Sequence, residues 1–535
     1  MGALGLLFIG LICFVVAYKF YGDYLDHKVM GIKADAQTPA HAMYDGSEYV
    51  PASAPVLLGH HFASIAGAGP ITGPIAAAAF GWVPVALWII GGSVFFGGVH
   101  DYSSLLASSR HEGKSIGEIV RRNVGERAQV LFLLFSWLTL LLVVSVFTIL
   151  TRDVFVSIPE VATTSILFII LAIIFGLAIY RMKLPLGITT VAGVALLILC
   201  IYIGFNNPIV ADATTWTYFL LAYIFVASVA PVWILLQPRD YLNSFLLYAL
   251  LIGGLLGIIV GRPSFELPAF TSFDANGYLF PMLFVTVACG AISGFHSLVS
   301  SGTTSKQLNN EKDARLIGYG GMLIEGLLAL IALSTAAILT TEGYSTTLAE
   351  MGGPTGLFSQ GIGTFLSYLG IPMSFGVVFG GLALNAFCLT SLDTATRLAR
   401  YAFQEFFETR VPALTNKYIA TLVGLVLAGA LALSGNWSAI WPIFGSANQL
   451  LAGLALLSVS VWLMRRGRDY RATFYPMVFM LIVTLTALYF LIRSNLAAQN
   501  YVLGIPGLLL FVLAIFLVVE TYNIMKSAQK EDVKA

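Results

Sequence analysis

His60, His61, His100, Asp101, His296, Glu325 and Asp393 lie within or at the end of long apolar stretches of this chain, and any chemistry has to be argued from them. His60 and His61 precede Gly67-Ala68-Gly69-Pro70, while His100 and Asp101 follow Phe95-Phe96-Gly97-Gly98-Val99. His296 stands in Gly294-Phe295-His296-Ser297, Glu325 is embedded in Gly318–Ala337, and Asp393 closes the stretch 366–391. An ionisable group at membrane depth is costly, so each is a functional candidate by default. Carboxylates and imidazoles together are what proton coupling needs, because their charge can change as access alternates. The hydroxyls of Ser300, Ser301, Thr303 and Thr304 offer an alternative, sodium held with carbonyls of a nearby helix break. The bland reading is that such groups cap helix ends or bond neighbouring backbone. His100 taken alone is read that way, and Lys306 as a side chain snorkelling to the interface.

Two interruptions accompany these residues. The first is Gly67-Ala68-Gly69-Pro70 inside the apolar run 56–79, with Thr72 just beyond it. Glycine adds backbone freedom and proline removes a donor, so the helix is expected to open there. Opened backbone at membrane depth is tolerated only where protein buries it or it lines a cavity, and such breaks build transporter binding sites. The second is Ser228-Val229-Ala230-Pro231 in the run 216–236. A half-helix starting near Thr72 would point its amide end and partial positive charge at the break, suiting a substrate carboxylate. The substrate is therefore expected between Gly67, Ala68, Gly69, Pro70 and Thr72 on one side and Ser228, Ala230 and Pro231 on the other.

The elements that position these groups are membrane helices. Hydrophobic residues make up 58% of the 535 and charged residues 10%, with a mean hydropathy of +0.87. That composition belongs to an all-α polytopic membrane protein. Apolar windows give about 15 spans, near 3–20, 56–79, 84–108, 128–150, 163–180, 186–205, 216–236, 243–260, 278–301, 316–340, 366–391, 415–434, 438–463, 473–492 and 503–525. A kink is expected near Gly370-Ile371-Pro372. If the spans alternate, 25 of the 28 lysines and arginines fall on one side, leaving Arg152, Arg262 and Arg493 on the other. By the positive-inside rule the N-terminus lies outside and the C-terminus inside. The spans at 56–79 and 216–236 are five apart and run in opposite directions. The expected organisation is a first helix and cytoplasmic loop (1–55), a five-helix repeat (56–205), an inverted five-helix repeat (216–391) and accessory helices (415–535), a LeuT-type five-plus-five arrangement with extra helices.

Several classes are set aside. A net charge of +1 carries no nucleic-acid signal, and no Gly-rich run ends in Gly-Lys-Ser/Thr, so transport would run on a gradient rather than on ATP. Cys13, Cys200, Cys289 and Cys388 are scattered through apolar segments as packing residues. No metal-ligand spacing occurs, which weakens a hydrolase reading that would use His60, His61 and Asp101 as ligands. Met1–Phe20 lacks a basic residue before its apolar core and is expected to be a retained helix rather than a signal peptide.

Longer motifs then carry a resemblance. Gly59–Pro74, Phe80-Gly81-Trp82-Val83-Pro84, His100-Asp101-Tyr102 through Arg110, Gly113–Ile119, Gln237–Leu242 and Gly294–Gln307 resemble the carbon starvation protein A family. So do Gly318–Gly326, Leu384–Arg400 and Trp441-Pro442-Ile443-Phe444-Gly445-Ser446-Ala447-Asn448-Gln449-Leu450. The resemblance runs from about Lys33 to Leu463. It departs at His100, where glutamine is expected, and in a C-terminal end shorter than in long family members. It implies a carrier of the cytoplasmic membrane with a LeuT-type fold, linked to carbon starvation and to uptake of peptides or of pyruvate with protons.

The resulting expectation is a secondary active importer of a small carboxylate such as pyruvate, by proton symport, with short-peptide uptake as the alternative. A non-transporting nutrient sensor comes next and an intramembrane metallohydrolase last. No cofactor is called for; the coupling ion is a proton, with sodium as the alternative. The partners are a small-molecule substrate and the lipid bilayer. Coupling is assigned to His60, His61, Asp101, His296, Ser300, Ser301, Thr303, Thr304, Glu325 and Asp393.

Overall fold

The computed structural model describes residues 2–532 apart from 34, 47, 232, 233, 276, 409 and 436. Among the described residues there is no β-strand, only isolated bridges such as Gly2–Ser264 and Ala52–Leu308. Among these described residues twelve helices are long and apolar enough to cross a membrane, from Ala3–Met30 to Tyr501–Asn523. One bent pair, Ala54–Ile65 and Gly69–Phe80, makes a further span, and Ala213–Val229 is a shorter apolar helix. Adding the interrupted Leu279–Thr286 and Gly294–Gly302 accounts for every stretch read from the sequence.

Local signals set the ends. Asp212 accepts from the amides of Thr214 (2.9 Å) and Thr215 (3.2 Å), capping Ala213–Val229. Pro159 opens Pro159–Tyr180 where its missing N–H costs nothing. Gly81 turns the chain between two helices with φ +95°, and a Cβ there would lie 2.6 Å from the Ala269 carbonyl oxygen.

The loops sort onto two ends as the alternation requires. At one end the segment after Met30 is pinned to Asn309 and Glu311 and to Arg110. Arg110 donates to both Glu311 carboxylate oxygens at 2.8 Å and to the carbonyls of Met30 and Gly31. Lys306 pairs with Glu48 at 2.6 Å, and Tyr49 donates to the Glu112 carbonyl at 3.1 Å. At the opposite end Ala3 bonds Pro263, Val83 bonds Ala269, Glu266 bonds Ala337, and Tyr344 donates to Ile75.

Two helix limits differ from the sequence reading. The stretch 366–391 is not one kinked helix: Pro354–Ser367 ends before Gly370, and Met373–Phe407 then runs for 35 residues. Asp393 therefore lies mid-helix, not at its end. The stretch 216–236 stops as a helix at Val229, because Pro231 has no N–H to continue the ladder. Its last carbonyls are instead taken by cations. Arg397 donates to Ala227 (2.8 Å) and Ala230 (3.0 Å), Arg400 to Ser228 (2.9 Å) and Lys417 to Val229 (3.2 Å). Ser228–Pro231 is thus a cation-capped helix C-terminus.

Candidate functional site

The first interruption forms where expected. Ala54–Ile65 and Gly69–Phe80 meet at 48° across Ala66-Gly67-Ala68. The second half begins at Gly69 rather than near Thr72, since Pro70 fits the first turn without a donor and the amide of Thr72 already bonds Ala68 at 2.8 Å. Thr72 is buried in that first turn, with no hydrogen-bond partner for its hydroxyl.

What faces this break is not Ser228–Pro231 but a second broken helix, Leu279–Thr286 and Gly294–Gly302 around Val287–Ser293. A Cβ on Gly69 would lie 2.3 Å from Cys289 Sγ, one on Gly73 2.6 Å from the Thr286 carbonyl oxygen, and one on Gly290 3.4 Å from Pro70 Cα. The two broken helices therefore pack in contact, and at Gly69 and Gly73 only glycine permits the approach. The carbonyls freed by the second break are bonded by neighbouring side chains. Trp441 Nε1 donates to Thr286 (3.1 Å), Trp88 Nε1 to Val287 (3.2 Å), Gln449 Nε2 to Phe284 (2.8 Å) and Ser93 Oγ to Gly290 (3.1 Å). Asn448 Oδ1 accepts from the amide of Phe295 at 3.0 Å, tying down the start of the second half. Buried backbone without water has to find such partners. The Trp441–Leu450 motif, which sequence reasoning left without a role, supplies three of them.

Beside the crossing lies a fully buried carboxylate–imidazole chain. His100 Nδ1 and His296 Nδ1 each stand 2.8 Å from a different oxygen of Asp101, and His296 Nε2 stands 3.5 Å from Glu325. All four side chains are 0% exposed. His61 Nδ1 lies 2.9 Å from the Thr304 hydroxyl, with His296 as an electrostatic neighbour. Three helices supply the chain: Asp101 and His100 come from Trp82–Ser109, His296 from the second half-helix, and Glu325 from Arg315–Ala337. His100, read from sequence as a helix cap or a partner of neighbouring backbone, is one end of it.

Other predicted coupling residues sit elsewhere. The His60 side chain has Asp240 as its charged neighbour, so the two adjacent histidines face different helices. Ser301 Oγ donates to Ser297 (2.7 Å) and Thr303 to Val299 (3.0 Å), each back to its own helix, while the buried Ser300 hydroxyl has no partner. These hydroxyls do not converge on one point. Asp393 is absent from the histidine chain and is held instead by Arg239. The two guanidinium–carboxylate partners are 2% and 0% exposed, and Tyr223 donates to the same carboxylate at 2.9 Å. Arg239 also bonds Asp240 at 3.0 Å, which accepts from Thr390 at 3.1 Å. Sequence reasoning placed Arg239 in a loop; the neighbouring Pro238 and Asp240 were the only local hint of a buried pair. Among the described residues no group of three or more His, Cys, Asp and Glu is arranged to hold a metal ion.

A family model described as carbon starvation protein CstA matches residues 2–350 and 343–487. The chain belongs to this family. It is 34% identical to the peptide transporter CstA of Escherichia coli K12, covering 91% of this chain and 81% of that one. Identity is again 34% to the pyruvate/proton symporter BtsT of the same organism, over 89% and 80%. The Bacillus subtilis peptide transporter CstA is 32% identical over 97% and 96%. In fold, the chain is similar to a solved manganese transporter of Eremococcus coleocola, with a TM-score of 0.50, 13% identity, and 90% and 99% of the chains covered. The family and these neighbours place the chain among multi-pass membrane transporters.

Proposed function

We propose that this CstA-family protein is a secondary active carrier of the cytoplasmic membrane that imports a small carboxylate such as pyruvate together with protons. The observation that carries the reading is the buried His100–Asp101–His296–Glu325 chain, whose His296 rides on the second broken helix. Two carboxylates and two imidazoles in contact share protons as one unit, so loading or unloading a proton changes the charge beside both breaks. The substrate would lie on the side of the first break away from Cys289, where Gly67 faces Ser391 and Phe147, its carboxylate toward the half-helix start at Gly69. Alternating access would follow from LeuT-type rocking of the broken-helix bundle, in an N-out, C-in orientation drawn from the Lys and Arg distribution. The reading is of a carrier and not an enzyme.

Short-peptide uptake is the second reading, favoured by relatives named peptide transporters at the same identity as the pyruvate symporter. The test is uptake of labelled pyruvate and a labelled dipeptide into proteoliposomes under an inward proton or sodium gradient. Pyruvate accumulation abolished by a protonophore, and lost in Asp101→Asn and Glu325→Gln while binding persists, is the expected result. Dipeptide accumulation instead reassigns the substrate, and sodium dependence removes the histidine chain from coupling. Binding without accumulation would indicate a sensor, and chemical turnover of the substrate a hydrolase.

A further inference from the structure

Away from the broken helices, Ala213–Val229 and Lys417–Ser434 pack side by side and leave an apolar groove of about 640 Å³ between them. Its walls include Tyr218, Ala222 and Val226 from one helix and Leu422, Val426 and Ala430 from the other. The helices approach closely where Gly429 meets Leu221, a Cβ there being 2.8 Å from Leu221 Cδ1, and the groove runs along this seam. From Leu422 to Leu433 it extends about 16 Å at 1.5 Å per residue, a length that suits one acyl chain and is short for a helix.

Three cations lie just beyond the Val226–Leu422 end of the groove, whose own lining is uncharged. Lys417, Arg397 and Arg400 converge within one turn of Val226, and all three bond backbone carbonyls rather than carboxylates. The carboxylate facing Arg397 is Asp393, which Arg239 already holds. The Nε atoms of Arg397 and Arg400 are buried without a hydrogen-bond partner. Three positive charges against one helix C-terminus leave a surplus that an anion would balance. We propose that this seam is a binding site for one anionic phospholipid, with an acyl chain in the groove and the phosphate at Lys417, Arg397 and Arg400. An apolar trough ending in a basic pocket between membrane helices is the chemistry that recognises such a lipid.

The test uses the full-length protein in detergent, titrated with phosphatidylglycerol or phosphatidylcholine of identical acyl chains, with bound lipid counted by native mass spectrometry. One phosphatidylglycerol is expected to bind in preference to phosphatidylcholine. Lys417→Gln should weaken that preference about fivefold, the ratio corresponding to roughly 1 kcal/mol per basic side chain. Lys417→Arg should keep it. Ala222→Trp, at an exposed position on the groove wall, should reduce binding of both lipids. A monodisperse elution profile and an unchanged thermal midpoint check that each variant is folded, and Lys312→Gln serves as the charge control. Equal binding of the two lipids by the wild type, or no effect of Lys417→Gln or Ala222→Trp, would overturn the proposal. So would concentration-dependent dimers that Ala222→Trp abolishes, since a second copy would then fill the groove.

Discussion

The buried Arg239–Asp393–Asp240 cluster makes an ordered prediction about charge removal. Arg239 lies between two carboxylates, with Asp393 on one side and Asp240 at 3.0 Å on the other. Asp393→Asn leaves the guanidinium with Asp240, Tyr223 and Thr390, so its cost falls at the low end for breaking a buried pair, about 3 kcal/mol. Arg239→Gln strands two carboxylates that repel one another, and its cost should reach the high end, about 5 kcal/mol. The double variant removes one of the stranded charges. It should therefore be more stable than the sum of the single costs implies, by about 1–3 kcal/mol. Unfolding free energies in mixed micelles, read from SDS titrations of all four proteins, give the cycle directly. Coupling below about 0.5 kcal/mol, or Asp393→Asn costing more than Arg239→Gln, would refute the reasoning.

Gly69→Ala should impair folding or transport by about 1–3 kcal/mol of overpacking, since its Cβ would meet Cys289 Cβ at 2.5 Å. Cys289→Gly in the same chain removes that contact and should restore the activity, measured as proteoliposome uptake; failure of the rescue would place the damage elsewhere. At the loop-rich end, burial works to raise the Glu311 carboxyl, but the two Arg110 bonds leave it below its ordinary value. A depressed carboxylate stabilises above its unfolded pKa, about 4.3, and that contribution fades as the pH falls through the folded value. Limited proteolysis of the segment after Gly31 should thus accelerate on acidification below about pH 4.3, and Glu311→Gln should flatten the profile. Trp441→Phe deletes the donor to the buried Thr286 carbonyl and should cost about 1–3 kcal/mol, with hydrogen exchange rising around 286–293.

Much of the architecture was legible because it depends on local chemistry. Fifteen apolar stretches and the sorting of loops to two ends follow from segment length and from where Lys and Arg can sit. The first break was legible because Gly67, Gly69 and Pro70 act on their own backbone. Ser228–Pro231 carried the same local signal and misled for the same reason. Proline ends a helix whatever lies beyond it, and only Arg397, Arg400 and Lys417 decide that this end is capped rather than opened toward a site. The true counterpart, Val287–Ser293, has one glycine and no proline. It stays open because Trp441 and Gln449, about 150 residues downstream, bond its carbonyls. The candidate proton chain divides the same way. The cost of burying Asp101, His296 and Glu325 marked each one singly, whereas their contact, the inclusion of His100 and the removal of Asp393 to Arg239 depend on which helices pack together. Residue type reveals that a buried charge needs a partner; only the tertiary structure decides which partner it finds.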